Sequence, residues 1–70
     1  MEIVFTLHAE ERIIKRGISK EEVIEAIKYP ENIEKKSGKY YIQKNIGRGI
    51  IEIVYEKENY IKVVTVYWLR

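Results

Sequence analysis

Hydrophobic positions recur at helical spacing as far as Lys28, and from Ile33 onward they fall into a period of two. Ile3 to Phe5 is a short apolar run that fits a strand. Thr6 offers the side-chain oxygen of an N-cap, and the helix it opens runs from about Leu7 to Arg16. Gly17 ends that helix, since glycine accepts the left-handed conformation of a helix C-cap. Arg12, Lys15 and Arg16 lie in its last turns, where cations suit the helix dipole. Ser19-Lys20-Glu21-Glu22 is a capping box: Ser19 caps, Glu22 reaches back, and Ile18 with Val23 forms the hydrophobic staple. The second helix continues to about Lys28, and Pro30 forces Tyr29 out of helical geometry. Its inward stripe reads Val23, Ala26 and Ile27, with Ile24 beside them; the first helix brings Ala9, Ile13 and Ile14 to the same core.

Asn32 to Lys36 reads as a short extended piece and Ser37-Gly38 as a turn. Lys39 to Asn45 predicts a strand with Tyr40, Ile42 and Lys44 on one face and Tyr41 and Gln43 on the other. Gly47-Arg48-Gly49 is a loop. Ile50 to Lys57 predicts a strand with Ile51, Ile53 and Tyr55 inward, while Glu52 and Glu56 mark the solvated face. Glu58-Asn59 turns the chain into a last strand over residues 60–69. That strand is apolar on both faces, with Ile61, Val63 and Tyr67 set against Val64, Val66 and Trp68. Such a strand belongs in the middle of a sheet or under cover on both sides. The order is β-α-α-β-β-β over a single domain, residues 1–70. Two helices packed on one face of an antiparallel sheet make an α+β fold, with the later strands in a meander and the first strand beside one of them.

A chain of 70 residues buries about 60% of its unfolded surface, so packing, ion pairs or a partner must supply its stability. There is no cysteine, which removes disulfides and thiolate metal sites. A single histidine and no aspartate leave little for a transition-metal site, and no cofactor is implied. Abundant isoleucine, valine, tyrosine, lysine and glutamate resemble the bias of proteins from hot environments, though AT-rich codons favour the same residues. No apolar run is long enough to span a membrane. Met1 to Phe5 lacks the basic start of a signal peptide, so the expected location is cytoplasmic. The net charge of +2 neither requires nor excludes nucleic acid.

The chemistry concentrates in the first helix. His8, Arg12 and Arg16 recur every four residues, about one helical turn, and form one stripe rotated away from Ile13. An imidazole beside guanidinium groups suits proton transfer next to a phosphate, and it equally suits an ordinary polar helix face.

Phe5 to Arg12 reads F-T-x-H-A-x-x-R and Arg16 to Val23 reads R-G-I-S-x-x-x-V; Pro30, Gly38 and Thr65-Val66-Tyr67 follow. In these features the chain resembles a family of small prokaryotic proteins catalogued mostly as a domain of unknown function. That family is similar in layout to the RelE and BrnT toxins, metal-independent ribonucleases of toxin–antitoxin pairs. The resemblance implies a RelE-like domain that acts on RNA, including ribosome-bound mRNA, and is masked by a small antitoxin protein.

Metal-free RNA cleavage needs a base for the 2′-hydroxyl proton, cations for the phosphorane and an acid for the leaving 5′-oxygen. An imidazole, with its ordinary pKa near about 6.5, can do either proton job, which nominates His8. Arg12 can hold the phosphate with its planar fork. RelE-like toxins place arginine, lysine and tyrosine on the sheet, so the resemblance makes Arg48 and Tyr67 the closest analogues. Arg16, Lys39 and Lys44, with Lys35, Lys36 and Arg48 nearby, can bind RNA backbone. Plainer readings stand beside these. His8 can serve as a local hydrogen-bonding residue, Arg12 can pair with Glu11, Glu22 or Glu25, Arg48 can tip a turn, and Tyr67 can be a core or interface ring. Tyr40, Tyr41, Tyr55, Tyr60 and Trp68 can stack on bases, but their types also suit any sheet. The readings are therefore a toxin endoribonuclease, a non-catalytic RNA- or protein-binding module, and a chain that works as a homodimer through its apolar last strand.

Overall fold

The residues at the helix ends set where each helix starts and stops. The computed structural model describes all 70 residues and places β1 at Ile3–Phe5, α1 at Leu7–Arg16, α2 at Lys20–Lys28, β2 at Asn32–Lys36, β3 at Lys39–Asn45, β4 at Ile50–Lys57 and β5 at Ile61–Trp68. Thr6 caps α1 by accepting from the Ala9 amide, and Gly17 closes it at φ 68°. Both arms of the Ser19–Glu22 capping box are formed. Tyr29, ahead of Pro30, leaves the helical region at φ −131°, ψ 63°.

The sheet order is β1-β5-β4-β3-β2. The strands β2 to β5 form an antiparallel meander, but β1 lies parallel to β5, so the sheet is mixed rather than wholly antiparallel. Asn32 to Lys36 is a full strand paired with β3, which makes the order β-α-α-β-β-β-β. Every residue of β2 is exposed, so no apolar alternation betrays it. The turn betrays it instead. Ser37 (φ 54°) and Gly38 (φ 76°) both occupy the left-handed region, as a two-residue hairpin requires.

Helix α1 lies over β5 and α2 over β3, on the same side of the sheet. Ala9, Ile13, Ile18, Val23 and Ala26 meet Ile42, Ile51, Ile53, Tyr55, Ile61, Val63 and Val66 in one core. Phe5, Ile27 and Trp68 pack at its margin. Ile14 does not join it. It is 80% exposed on the outer face of α1, because 100° per residue turns it away from the buried Ala9–Ile13 stripe.

Strict alternation along β5 also fails. Val54 pairs with Thr65, yet its neighbour Tyr55 pairs with Val63, so Val64 is an extra residue in a β-bulge. The bulge reverses the alternation beyond it. Val63 and Val66 both face the helices, and Tyr67 joins Thr65 on the opposite, open face. Fully burying a valine side chain is worth about 1.5–3 kcal/mol, so the parity change has a real driving force. The last strand is not a sheet edge: β1 covers its first residues and β4 its whole length.

Thr6 holds the bulge. Its one hydroxyl proton is shared between the Val63 carbonyl oxygen at 3.0 Å and that of Val64 at 3.3 Å, while the oxygen accepts from the Ala9 amide at 3.1 Å. One side chain thus ties the start of α1 to the irregular point of β5. Thr6→Val keeps the shape and loses these bonds. We expect it to lower unfolding free energy by about 1–2 kcal/mol in urea, with Thr6→Ser retaining most of the stability. An unchanged midpoint in Thr6→Val would show that the hydroxyl does not hold the bulge.

Candidate functional site

The candidate residues sort onto three parts of the molecule. On α1, 100° per residue puts His8, Arg12 and Lys15 on one flank of the buried Ala9–Ile13 stripe. His8 and Lys15 are exposed and Arg12 is half-buried. None of the three makes an ion pair or a side-chain hydrogen bond, so Arg12 is not spent on Glu11, Glu22 or Glu25. The ion pair of α1 lies on its other flank, where Glu10 meets Lys20 at 2.7 Å. The stripe loses Arg16 to the fold. Its Nη1 donates to the Val66 carbonyl at 2.6 Å, and its own carbonyl accepts from Trp68 Nε1 at 2.9 Å.

The second group is a clasp where the β3–β4 loop meets the helices. Arg48 donates to the Gly17 carbonyl at 2.8 Å and to Glu22 at 2.7 Å, and its guanidinium lies 5.3 Å from the Trp68 ring centroid. Gly49, at φ 151°, packs so closely that a Cβ there would come within 2.7 Å of Trp68 and of the Arg70 carbonyl. Glu22 is held below the usual carboxylate range, first by the Ser19 backbone amide and then by Arg48, against an opposing effect of burial. Arg48 therefore joins loop, helices and β5. Both of its bonds come from Nη2.

The third group lies on the open face of the sheet. Gln43, Glu52 and Tyr67 stand in register across β3, β4 and β5. Gln43 Nε2 donates to Glu52 Oε1 at 2.9 Å, and the Tyr67 hydroxyl donates to Glu52 Oε2. Asn32 of β2 extends the row through Gln43 at 3.4 Å. Burial, the bond to Glu52 and the Glu52 charge push the Tyr67 phenol up to about 12, with Tyr41 adding to the rise. Tyr67 is thus a proton-bearing donor, and it faces away from the helix layer that carries His8 and Arg12.

Lys39 and Lys44 also part company. Lys39 lies on the open face, 3.8 Å from Glu56, which Lys62 contacts at 3.1 Å. Lys44 lies on the helix face and donates to the Tyr29 carbonyl at 2.8 Å. A cavity of about 260 Å³ beside Lys44 is lined by Glu22, Glu25, Ala26, Asn45 and Ile46. It is smaller than the roughly 300–1,000 Å³ of most small-molecule sites and holds none of His8, Arg12 or Tyr67. No three His, Cys, Asp or Glu side chains converge as metal ligands would. Sequence reasoning missed Glu52, taken only as a mark of the wet face, and Trp68, taken as a sheet aromatic. For Glu52 the available signal was its place on β4 opposite Gln43; the contact with Tyr67 depended on the bulge.

The Tyr67–Glu52 bond has a pH signature. A tyrosine raised from its ordinary value near about 10 stabilises the fold fully below that pH, and the contribution is lost as pH rises through about 12. In urea titrations, the stability difference between the natural chain and Tyr67→Phe should shrink across that window. A difference that does not change with pH would refute the bond.

Comparison with known proteins adds one relationship. No curated protein and no solved structure matches the chain. A family described as a domain of unknown function, DUF4258, matches residues 5–68, from the last residue of β1 to the last of β5. The match takes in both helices, the clasp and the open-face row, and the chain therefore belongs to the DUF4258 family.

Proposed function

We propose that this chain acts on RNA as a metal-independent endoribonuclease of the toxin type, with His8 and Arg12 as its reacting pair. The observation that carries the reading is the unspent flank of α1. His8, Arg12 and Lys15 lie together without an acid partner, whereas Lys20, Lys39, Arg48 and Lys62 are paired with glutamates. A phosphodiester laid on that flank meets a cationic fork from Arg12 and an exposed imidazole one turn away. His8 takes the 2′-hydroxyl proton. The 2′-oxygen then bonds to phosphorus and the bond to the 5′-oxygen breaks. Solvent protonates the leaving oxygen, and the products are a 2′,3′-cyclic phosphate and a 5′-hydroxyl. In this reading Arg16 and Arg48 are positioning residues: Arg16 fixes α1 on β5, and Arg48 fixes the helix junction. A small antitoxin partner belongs to the same reading.

A second reading has specific support. Arg16, Arg48, Lys39 and Lys44 all have protein partners, so among the candidate cations Arg12 alone keeps its charge unengaged. The same flank then binds RNA backbone without cutting it, and does so more weakly as salt rises.

Purified protein incubated with RNA in the presence of chelator separates the two. The nuclease reading expects cleavage that falls by about 10²-fold or more in His8→Ala. It expects a comparable loss in Arg12→Ala that Arg12→Lys does not restore. Binding without cleavage in the natural chain would establish the binding module. Absence of both would refute any role on RNA for this flank.

A further inference from the structure

The geometry points to a second, independent binding site on the open face of the sheet: a receptor for one arginine side chain of a partner polypeptide, built on Glu52 with Gln43, Tyr67 and Tyr41. Glu52 is half-buried on β4, an interior strand, and no cation pairs with it. Glu10 is neutralised by Lys20, Glu22 by Arg48 and Glu56 by Lys39 and Lys62, while Glu31, which accepts from the Asn45 amide without a cation, is exposed to solvent. The two positions opposite Glu52 are the neutral Gln43 and Tyr67. The next residue along β3, Lys44, points to the other face and is bound to Tyr29. The chain thus leaves one shielded negative charge uncompensated in the middle of an otherwise uncovered face.

The bonding pattern around that charge selects the ligand. A carboxylate offers about four lone-pair positions over its two oxygens. Gln43 takes one on Oε1 and Tyr67 takes one on Oε2, which leaves one free on each oxygen. Two acceptors side by side are what the parallel N–H groups of a guanidinium fill; an ammonium is a single point charge and gains less from the pair. The surroundings suit the same group. Val54, two residues along β4, is only 5% exposed, so its neighbours on the open face already cover it and keep the ground beside Glu52 dry. Tyr41 sits opposite Val54, and its ring holds the Lys36 ammonium at 5.3 Å, so the ring attracts cations and an arriving guanidinium would displace Lys36 from it.

The occupant is a polypeptide rather than a nucleobase. A guanine edge also presents two parallel donors, but it is neutral and brings phosphates toward an unpaired carboxylate. Farther along the face, Lys36, Lys39 and Lys62 outnumber Glu34 and Glu56. From Glu52 to Glu56 is four residues of strand, about 13 Å. A segment lying along β4 that carries an arginine at one end and an acidic residue at the other complements both regions.

The test is a titration of the full chain, labelled with ¹⁵N, with a capped Gly-Arg-Gly peptide, its Gly-Lys-Gly counterpart and guanosine monophosphate. The arginine peptide should shift the Gln43 side-chain amide and the backbone amides of Glu52 and Tyr67, with millimolar affinity. The lysine peptide should bind about tenfold more weakly, as should the arginine peptide to Glu52→Gln. Tyr41→Leu keeps the charge and removes the ring beside it, so it should weaken the arginine peptide about threefold; this second variant tests the site should Glu52→Gln fail to fold. No shift at these amides with the arginine peptide, equal binding by Glu52→Gln, or preferential binding of guanosine monophosphate would each overturn the assignment.

Discussion

The extra residue at Val64 decides which way the last strand faces, and both layers of this protein depend on that choice. Without the bulge, a strand facing Val63 toward the helices would turn Val66 and Trp68 outward and bring Tyr67 in. With it, Val63, Val66 and Trp68 meet the helices, and the phenol of Tyr67 reaches Glu52. A bulge leaves backbone groups that the ladder no longer pairs, and a small core cannot tolerate many such losses. Thr6 meets that demand from outside the strand by donating to the carbonyls on either side of the irregularity. The first helix is therefore docked at the point where the strand needs it, and Arg16 docks its other end on Val66.

Local signals were legible in the sequence because the chemistry that sets them is local. Thr6, Gly17, the Ser19–Glu22 box and Pro30 each act within a few residues, and the helices start and stop where those residues dictate. Strand periodicity in β3 and β4 was equally readable, since one face of each is covered and the other is not. What escaped was non-local. β2 has no buried residue, so its identity rests on its hairpin with β3 rather than on its own composition. The parallel pairing of β1 depends on a crossover through both helices. The alternation on β5 fails because an insertion is invisible where both candidate faces are apolar. Side-chain bonding was the least legible layer. Arg48, set between two glycines in a loop, finds Gly17 and Glu22 only because the fold brings that loop to the helix junction.

Charge is distributed with the same economy. Four of the cations are placed against glutamates, mostly at solvated positions where such pairs contribute little individually. The Arg48–Glu22 pair differs because its guanidinium also caps a helix-end carbonyl and lies over Trp68, so three elements converge on it. Among the charges left without an opposite partner are those of the α1 flank, positive, and Glu52, negative and on the open face. These opposite imbalances on different faces argue that the molecule can meet two chemically different partners without one excluding the other.

The opening stretch shows how structural and chemical demands divide between neighbouring residues. Phe5 packs against the core, Thr6 caps α1 and pins the bulge, and Ala9 is fully buried where α1 crosses β5. Each has a task that the fold requires. His8 and Arg12 lie among them on the same helix, yet the fold gives them no hydrogen bond or ion pair. An arginine commonly finds a carbonyl or carboxylate when one is near, as Arg16 and Arg48 do. Arg12 is half-buried between these anchored neighbours and still keeps its donors free. The anchoring of Thr6 at one end of α1 and Arg16 at the other fixes the backbone spacing of His8 and Arg12, while their side chains remain free to turn. A bound anion would have to order both, so the fold sets their distance and leaves their orientation to whatever they meet.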